Sequence, residues 1–319
     1  MQNGMMNYEL FKEVVQEEFL SYMPEKYQHM QVKIRPVNKV NKVLDGLSII
    51  GPGKFSPTMY VNFMYESYIQ TGDLKEVLEI SAKVMTDAFE KPQHMPSIDL
   101  STAKDNIVFQ VINTVQNGDM LKNIPHREFQ DLSIIYRWMI GSNGDDILST
   151  VICNDLAERL GFNEEQLFKL AAENTKRLLP PVIKSMNDVM MDMYPYYEIP
   201  MELKEIMSKI PPEEQMYVIS NNKGTNGAAS MLYEDLLHDL AEKLDSDLYI
   251  IPSSVHEVIA VSPNMHGPNK LAQMVNEINM ECISLNERLS NQVYHYDKDL
   301  RKISLATDTP NKRLDGMIM

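Results

Sequence analysis

Residues 215–263 read QMYVISNNKGTNGAASMLYEDLLHDLAEKLDSDLYIIPSSVHEVIAVSP, and the reading of this stretch decides the fold. Met216, Tyr217, Val218 and Ile219 form a short apolar run, and residues 221–227 (NNKGTNG) are dense in Asn and Gly. Both residue types enter the left-handed backbone region at low cost, so a hairpin is expected with residues 228–233 as its returning strand. Leu236, Leu237, Leu240, Ala241 and Leu244 recur at three- and four-residue spacing, the stripe of an amphipathic helix. Residues 248–251 then run apolar without a polar gap, as a strand buried on both faces does. Residues 258–261 are their expected partner, and Pro252 marks where the first strand loses its ladder. A long helix over 269–289 completes a β-β-α-β-β-α pattern.

Upstream, Phe11, Val14, Val15, Phe19 and Leu20 line one face of a helix over 8–22. Strands are expected at 32–37, 44–50 and 58–63, then helices at 64–70 and 74–90, the last opened by Asp73 as N-cap. Residues 1–95 therefore read as an α-β-β-β-α-α unit ending at the KPQHMPS run of 91–97. A middle unit, 96–210, contains strands at 107–113, 129–140 and 147–152, with a hairpin turn at 141–146 (GSNGDD). Helices follow at 154–160, stopped by Gly161, and at 164–178, capped by Asn163. Another helix is expected at 182–193, and a weak one between residues 200 and 210. Residues 211–305 form a C-terminal unit able to join the middle one in a single body, and 306–319 a mobile tail. The 124–160 and 210–244 segments echo each other, and two related β-β-α units are one reading of that echo. The fold class is α+β: antiparallel hairpins and small sheets covered by helices.

A chain of 319 residues can bury a substantial core, and 44% hydrophobic with 24% charged content is ordinary for a folded protein. The two cysteines, Cys153 and Cys282, offer no disulfide framework, which suits a reducing cytoplasm; Cys153, at a strand end, reads as core. The start lacks a secretory pattern, and no run approaches the roughly 18 apolar residues of a membrane span. A net charge of −15 argues against direct nucleic-acid binding, whose affinity comes from neutralising phosphates, and leaves a protein partner. The 24 methionines fit core filler or an adaptable binding surface.

NEEQLFKLAAENT (163–175), NGAASMLY (226–233) and DLYIIPSSVHEVIAV (247–261) resemble an uncharacterised family of cytosolic proteins from gut Clostridia that carries domain of unknown function 5688. NYELFKEVV, LDGLSI, PTMYVN and PHREFQDL extend the resemblance over nearly the whole chain. More distantly, the middle and C-terminal parts are similar to a bacillar YtpQ-type family. The resemblance implies no activity and no cofactor.

Two clusters carry the residue types of a site. His126, Arg127 and Glu128 stand at a strand start, and Ser254, His256 and Glu257 at a strand junction. A His beside a carboxylate does general acid–base work near neutral pH, and an Arg holds an anion. Ser254 and His256, two apart on a strand, would share a face. Asn221 and Asn222 are further candidate ligand-binding groups in the hairpin loop. Metal ligands are not expected: His256 lacks a second His four residues on, and no two cysteines lie close. Residues 224–227 lack the Lys and the length of a phosphate loop. The leading expectation is a non-enzymatic cytoplasmic interaction or regulatory protein. One alternative is a small hydrolase-like enzyme using a His/carboxylate pair. Another is an accessory protein of mobile elements, presenting carboxylates as a decoy to a nucleic-acid-binding protein.

Overall fold

The computed structural model describes residues 5–51, 57–90, 99–143, 146–193, 201–252 and 254–307. The chain divides into two compact units, Met1–Met95 and Pro96–Met319.

The first unit comprises α1 (Tyr8–Glu18), β1 (Gln31–Lys39), β2 (Lys42–Ile50), β3 (Thr58–Tyr60), α2 (Val61–Thr71) and α3 (Leu74–Glu90). Its sheet is antiparallel in the order β1-β2-β3. β1 and β2 turn through Asn41, which takes φ +62, a conformation Asn tolerates. Phe11, Val15, Leu47, Val61, Leu78 and Ala82 are buried in one core with strands on one side and helices on the other. The expected third strand over 58–63 is cut to three residues, because the apolar spacing of Val61, Met64 and Tyr68 buries one face of a helix instead.

The second unit contains, in order, β4 (Ile107–Asn113), α4 (Gly118–Leu121), β5 (His126–Phe129), β6 (Leu132–Asn143), β7 (Asp146–Val151), α5 (Asn154–Leu160) and α6 (Glu164–Leu178). It continues with β8 (Pro181–Ser185), α7 (Met186–Met193), α8 (Met201–Lys209), β9 (Tyr217–Asn221), α9 (Glu234–Leu244), β10 (Leu248–Ile251), β11 (Val258–Val261), α10 (Pro268–Glu281), β12 (Tyr294–Asp297) and β13 (Lys302–Leu305). One antiparallel sheet is built on β6, with β4 along one edge and β5 and β7 in tandem along the other. The second sheet is also antiparallel and has six strands in the order β13-β12-β10-β11-β9-β8. β8, from the 96–210 stretch, pairs with β9, so the middle and C-terminal stretches share this sheet. All seven residues of β4 are buried, and its outer edge is closed where Phe109 N–H donates to the Thr175 hydroxyl of α6, 2.9 Å away. A buried polar link ties the two sheets: the Asp131 carboxylate accepts from Ser290 Oγ at 2.6 Å and from the Tyr294 hydroxyl at 2.5 Å.

Several expectations are corrected. Residues 228–233 do not return as a strand: Gly227–Leu232 is a 3-10 helix, and β9 pairs with β8 and β11 instead. The small residues Gly227, Ala228, Ala229 and Ser230 pack inside, where a tight turn fits and a pleated strand would leave space. The paired β-β-α units therefore differ in kind, the first being a hairpin and the second a strand and a turn. The expected helix 182–193 begins with a strand, because Ser185 and Asp188 place the helix start at Met186. The long helix 269–289 ends at Glu281. Cys153 is exposed at the start of α5. The polar stretch after Tyr296 contains β13; the turn residues 144–145 and the end of the chain, 308–319, lie outside the described residues.

Candidate functional site

The two predicted clusters lie on different sheets. His126, Arg127 and Glu128 form β5, beside β6, while 254–257 is the turn between β10 and β11. Among the described residues no hydrogen bond or ion pair joins the two groups. His126 Nδ1 lies 3.0 Å from the Ile124 carbonyl, and Glu128 is exposed. Arg127 is engaged through Nε and Nη2. Its Nε and Nη2 donate to the two oxygens of Glu164 at 3.0 and 2.9 Å, Nη2 also reaches Glu165 at 2.6 Å, and the guanidinium stacks 3.8 Å from the Phe168 ring centre. Burial alone would raise the Glu164 carboxyl, but the Arg127 and Tyr136 hydrogen bonds outweigh it and hold the group below the usual carboxylate range. The Tyr136 hydroxyl donates to that same carboxylate, and burial with this bond pushes its own ionisation far up. Arg127 thus clamps β5 to the first turn of α6 rather than offering itself to an anion.

Ser254, His256 and Glu257 close a turn. Ser254 N–H donates to the Glu257 carbonyl at 3.1 Å, and Ser254 Oγ accepts from His256 N–H at 3.0 Å. The expected shared strand face therefore does not exist. His256 Nδ1 accepts from Asn226 N–H at 3.2 Å, which leaves Nε2 as the protonated nitrogen, 3.9 Å from Glu287 Oε1. The carboxylate beside His256 is thus Glu287 and not Glu257. The His256 carbonyl accepts from Ser220 Oγ at 2.7 Å. Gly227 lies against both partners of that bond: a Cβ there would stand 2.1 Å from Ser220 Oγ and 2.4 Å from the His256 carbonyl. Asn221 spends its side chain on the loop, accepting from Lys223 N–H at 2.9 Å and donating to the Thr225 carbonyl at 2.8 Å. Asn222 N–H donates to the Pro180 carbonyl and extends the β8–β9 ladder. These residues hold a junction shut.

A cleft elsewhere in the unit has the room a ligand needs. It encloses about 560 Å³ between the β8–β9 end of the sheet, α7, α8 and α9. Ile183, Met191, Met207 and Leu240 supply apolar wall, and Ser185, Asp188, Asp239 and Lys243 supply polar groups. Ser185 and Asp188 form a reciprocal cap on α7: Asp188 N–H donates to Ser185 Oγ at 3.1 Å, and that hydroxyl donates to Asp188 Oδ2 at 2.7 Å. Tyr217 donates to the Pro212 carbonyl at 3.1 Å, and Lys243 Nζ sits 5.1 Å from the centre of its ring. Burial first, then the charges of Asp188 and Glu213, push the Tyr217 ionisation up. Tyr217 and Leu240 read from sequence only as parts of a strand and a helix stripe, and none of these residues stands out there as a site residue. The legible signal was the S-x-x-D spacing of Ser185 and Asp188, which starts α7 at 186 and frees 181–185 to be a strand.

The chain is a two-unit α+β protein whose second unit carries a cleft lined by both apolar and polar side chains. A model of a family of unknown function, DUF5688, matches residues 8–298, and the chain belongs to this family. No curated protein and no solved structure matches it. Among the described residues there is no cluster of His, Cys, Asp or Glu fit to hold a metal ion, and no helix is long and apolar enough to cross a membrane.

Proposed function

We propose that this is a non-enzymatic cytoplasmic protein that binds a protein partner through the cleft between α7, α8 and α9. The observation that carries the reading is the composition of the cleft lining: Met191 and Met207 with Ile183 and Leu240 supply adaptable apolar surface among polar groups. Exposed Met190, Met201 and Ile206 on the same two helices extend that surface. The hydrolase-like alternative, a pairing of His126 or His256 with Glu128 or Glu257, has less support: His126 Nδ1 lies against the Ile124 carbonyl, and His256 Nδ1 accepts from Asn226 N–H. The decoy alternative calls for rows of unpaired carboxylates, whereas Asp45, Asp119, Glu164 and Asp192 pair with Lys or Arg.

A photoreactive amino acid placed at Asp239, on the cleft rim, and separately at Lys75, exposed on α3, tests the reading in cells. The expected result is a discrete protein adduct from position 239 that Met191→Lys abolishes. Adducts from 239 that match those from 75, or that persist in Met191→Lys, overturn it.

A further inference from the structure

The six-stranded sheet stops at β8, and β8 is short, partly exposed and next to the cleft. Its ladder to β9 is bracketed by Asn222 N–H to Pro180 O at 3.0 Å and Met186 N–H to Met216 O at 2.8 Å. Residues of an antiparallel pair alternate between those that bond across the ladder and those that turn their backbone groups away. Val182 and Lys184 therefore face β9, and Ile183 turns its N–H and C=O to the outer edge. Among the described residues nothing takes either group. The contrast with β4 is instructive, because there Thr175 closes the equivalent edge. The usual guards of an edge strand are weak here. Lys184 is drawn to Asp192, 2.6 Å away, and Pro181 blocks a donor at one position only.

Directly opposed residues share a sheet face, so Ile183, Ser185, Ile219 and Tyr217 lie on one side, and the cleft opens there. A strand added outside β8 would send alternate side chains to that same side. The apolar wall would receive the first of them. Further along, the described lining offers the carboxylates of Asp188 and Asp239, while its one described lysine, Lys243, lies over the Tyr217 ring.

From these observations we infer that β8 is an open docking edge. It takes an extended polypeptide segment as a seventh strand, with an apolar side chain in the cleft and a Lys or Arg two residues along facing Asp188 and Asp239. Backbone hydrogen bonds centred on Ile183 supply the mode of binding, and the cleft supplies the selectivity. The inference rests on the reading of the cleft as a protein-binding site and adds the chemistry of what binds.

The test uses the full chain and a blocked six-residue peptide with isoleucine, leucine and lysine on one face and threonine on the other. A twin peptide carries N-methyl groups on the amides that would face β8, which removes hydrogen bonds and keeps every side chain. The parent peptide is expected to bind saturably, to slow exchange of the Ile183 amide, and to bind at least about tenfold more tightly than the twin. Ile183→Pro removes the outward N–H, leaves both neighbouring ladder bonds, and is expected to reduce binding likewise. Asp239→Lys weakens the parent peptide, and Asp87→Lys on α3 does not. Should Ile183→Pro fail to fold, the twin peptide alone decides. Equal binding of twin and parent overturns strand addition and leaves the cleft reading standing. Binding of neither peptide overturns this inference, and loss of the position-239 adduct as well would overturn the cleft reading itself. Peptide binding that emerges only after deletion of residues 308–319 would assign the edge to the chain's own end, also against the proposal.

Discussion

Gly227 sits where the end of β9, the start of the 3-10 helix and the 254–257 turn approach within contact distance, and the approach leaves no volume for a side chain. A methyl group there would displace the Ser220–His256 hydrogen bond and crowd Asn221 N at 2.8 Å. Gly227→Ala is expected to cost about 2–3 kcal/mol, read as a lowered urea midpoint with an unchanged slope. Arg127 gives a pH-dependent counterpart. The Glu164 carboxyl is held low in the folded state, so its contribution is present above the unfolded value of roughly 4.3 and is lost as pH falls through the folded one. Arg127→Gln should destabilise by about 1 kcal/mol at pH 7, since the pair is partly exposed. The difference from wild type should shrink below about pH 4 in acid-titrated urea melts. A difference that stays constant across that range would show that Arg127 acts through its stacking on Phe168 alone.

At the scale of elements, α6 organises its surroundings through both ends. Its capping box joins Asn163 and Gln166 reciprocally, at 2.9 and 3.0 Å, and Asn163→Ala is expected to cost about 1 kcal/mol in thermal or urea unfolding. Near its other end Thr175 closes the edge of β4. Thr175→Val keeps the shape and orphans the buried Phe109 N–H, for an expected loss of about 1–3 kcal/mol. This helix was legible in the sequence because cap, apolar stripe and stop coincide. So were β10 and β11, whose apolar runs flank a turn with Pro252 at its start. Elements whose pattern is set by tertiary partners were not legible. Residues 228–233 have strand-like composition at their end, yet small side chains under β11 and β4 select a tight turn. β8 holds only five residues, with no alternation of buried and exposed positions, and β12 gains its place by pairing with β10. The surroundings of the candidate site residues were not legible for the same reason. His, Arg and Ser next to carboxylates look alike in sequence whether they face a ligand or lock a turn. Only the partners of Arg127 and His256 separate the two cases.

For the molecule as a whole, the core of the first unit is drawn from residues 6–89, with Phe11, Phe19, Leu47 and Leu78 wholly buried in it. A fragment spanning 5–90 should therefore fold alone with a cooperative transition; a non-cooperative melt would contradict this. In the second unit, the proposed binding surface is the cleft beside β8, and the histidine junction is proposed to have a structural part. Co-purification from a lysate of the source cells, with three tagged forms at matched expression, tests that division most directly: wild type, a Met191→Lys/Asp239→Lys cleft variant, and a His256→Ala/Glu287→Ala junction variant. The account predicts a bound protein that the cleft variant loses and the junction variant keeps. A partner retained by the cleft variant and lost with His256 and Glu287 would contradict it and place the working surface at the junction.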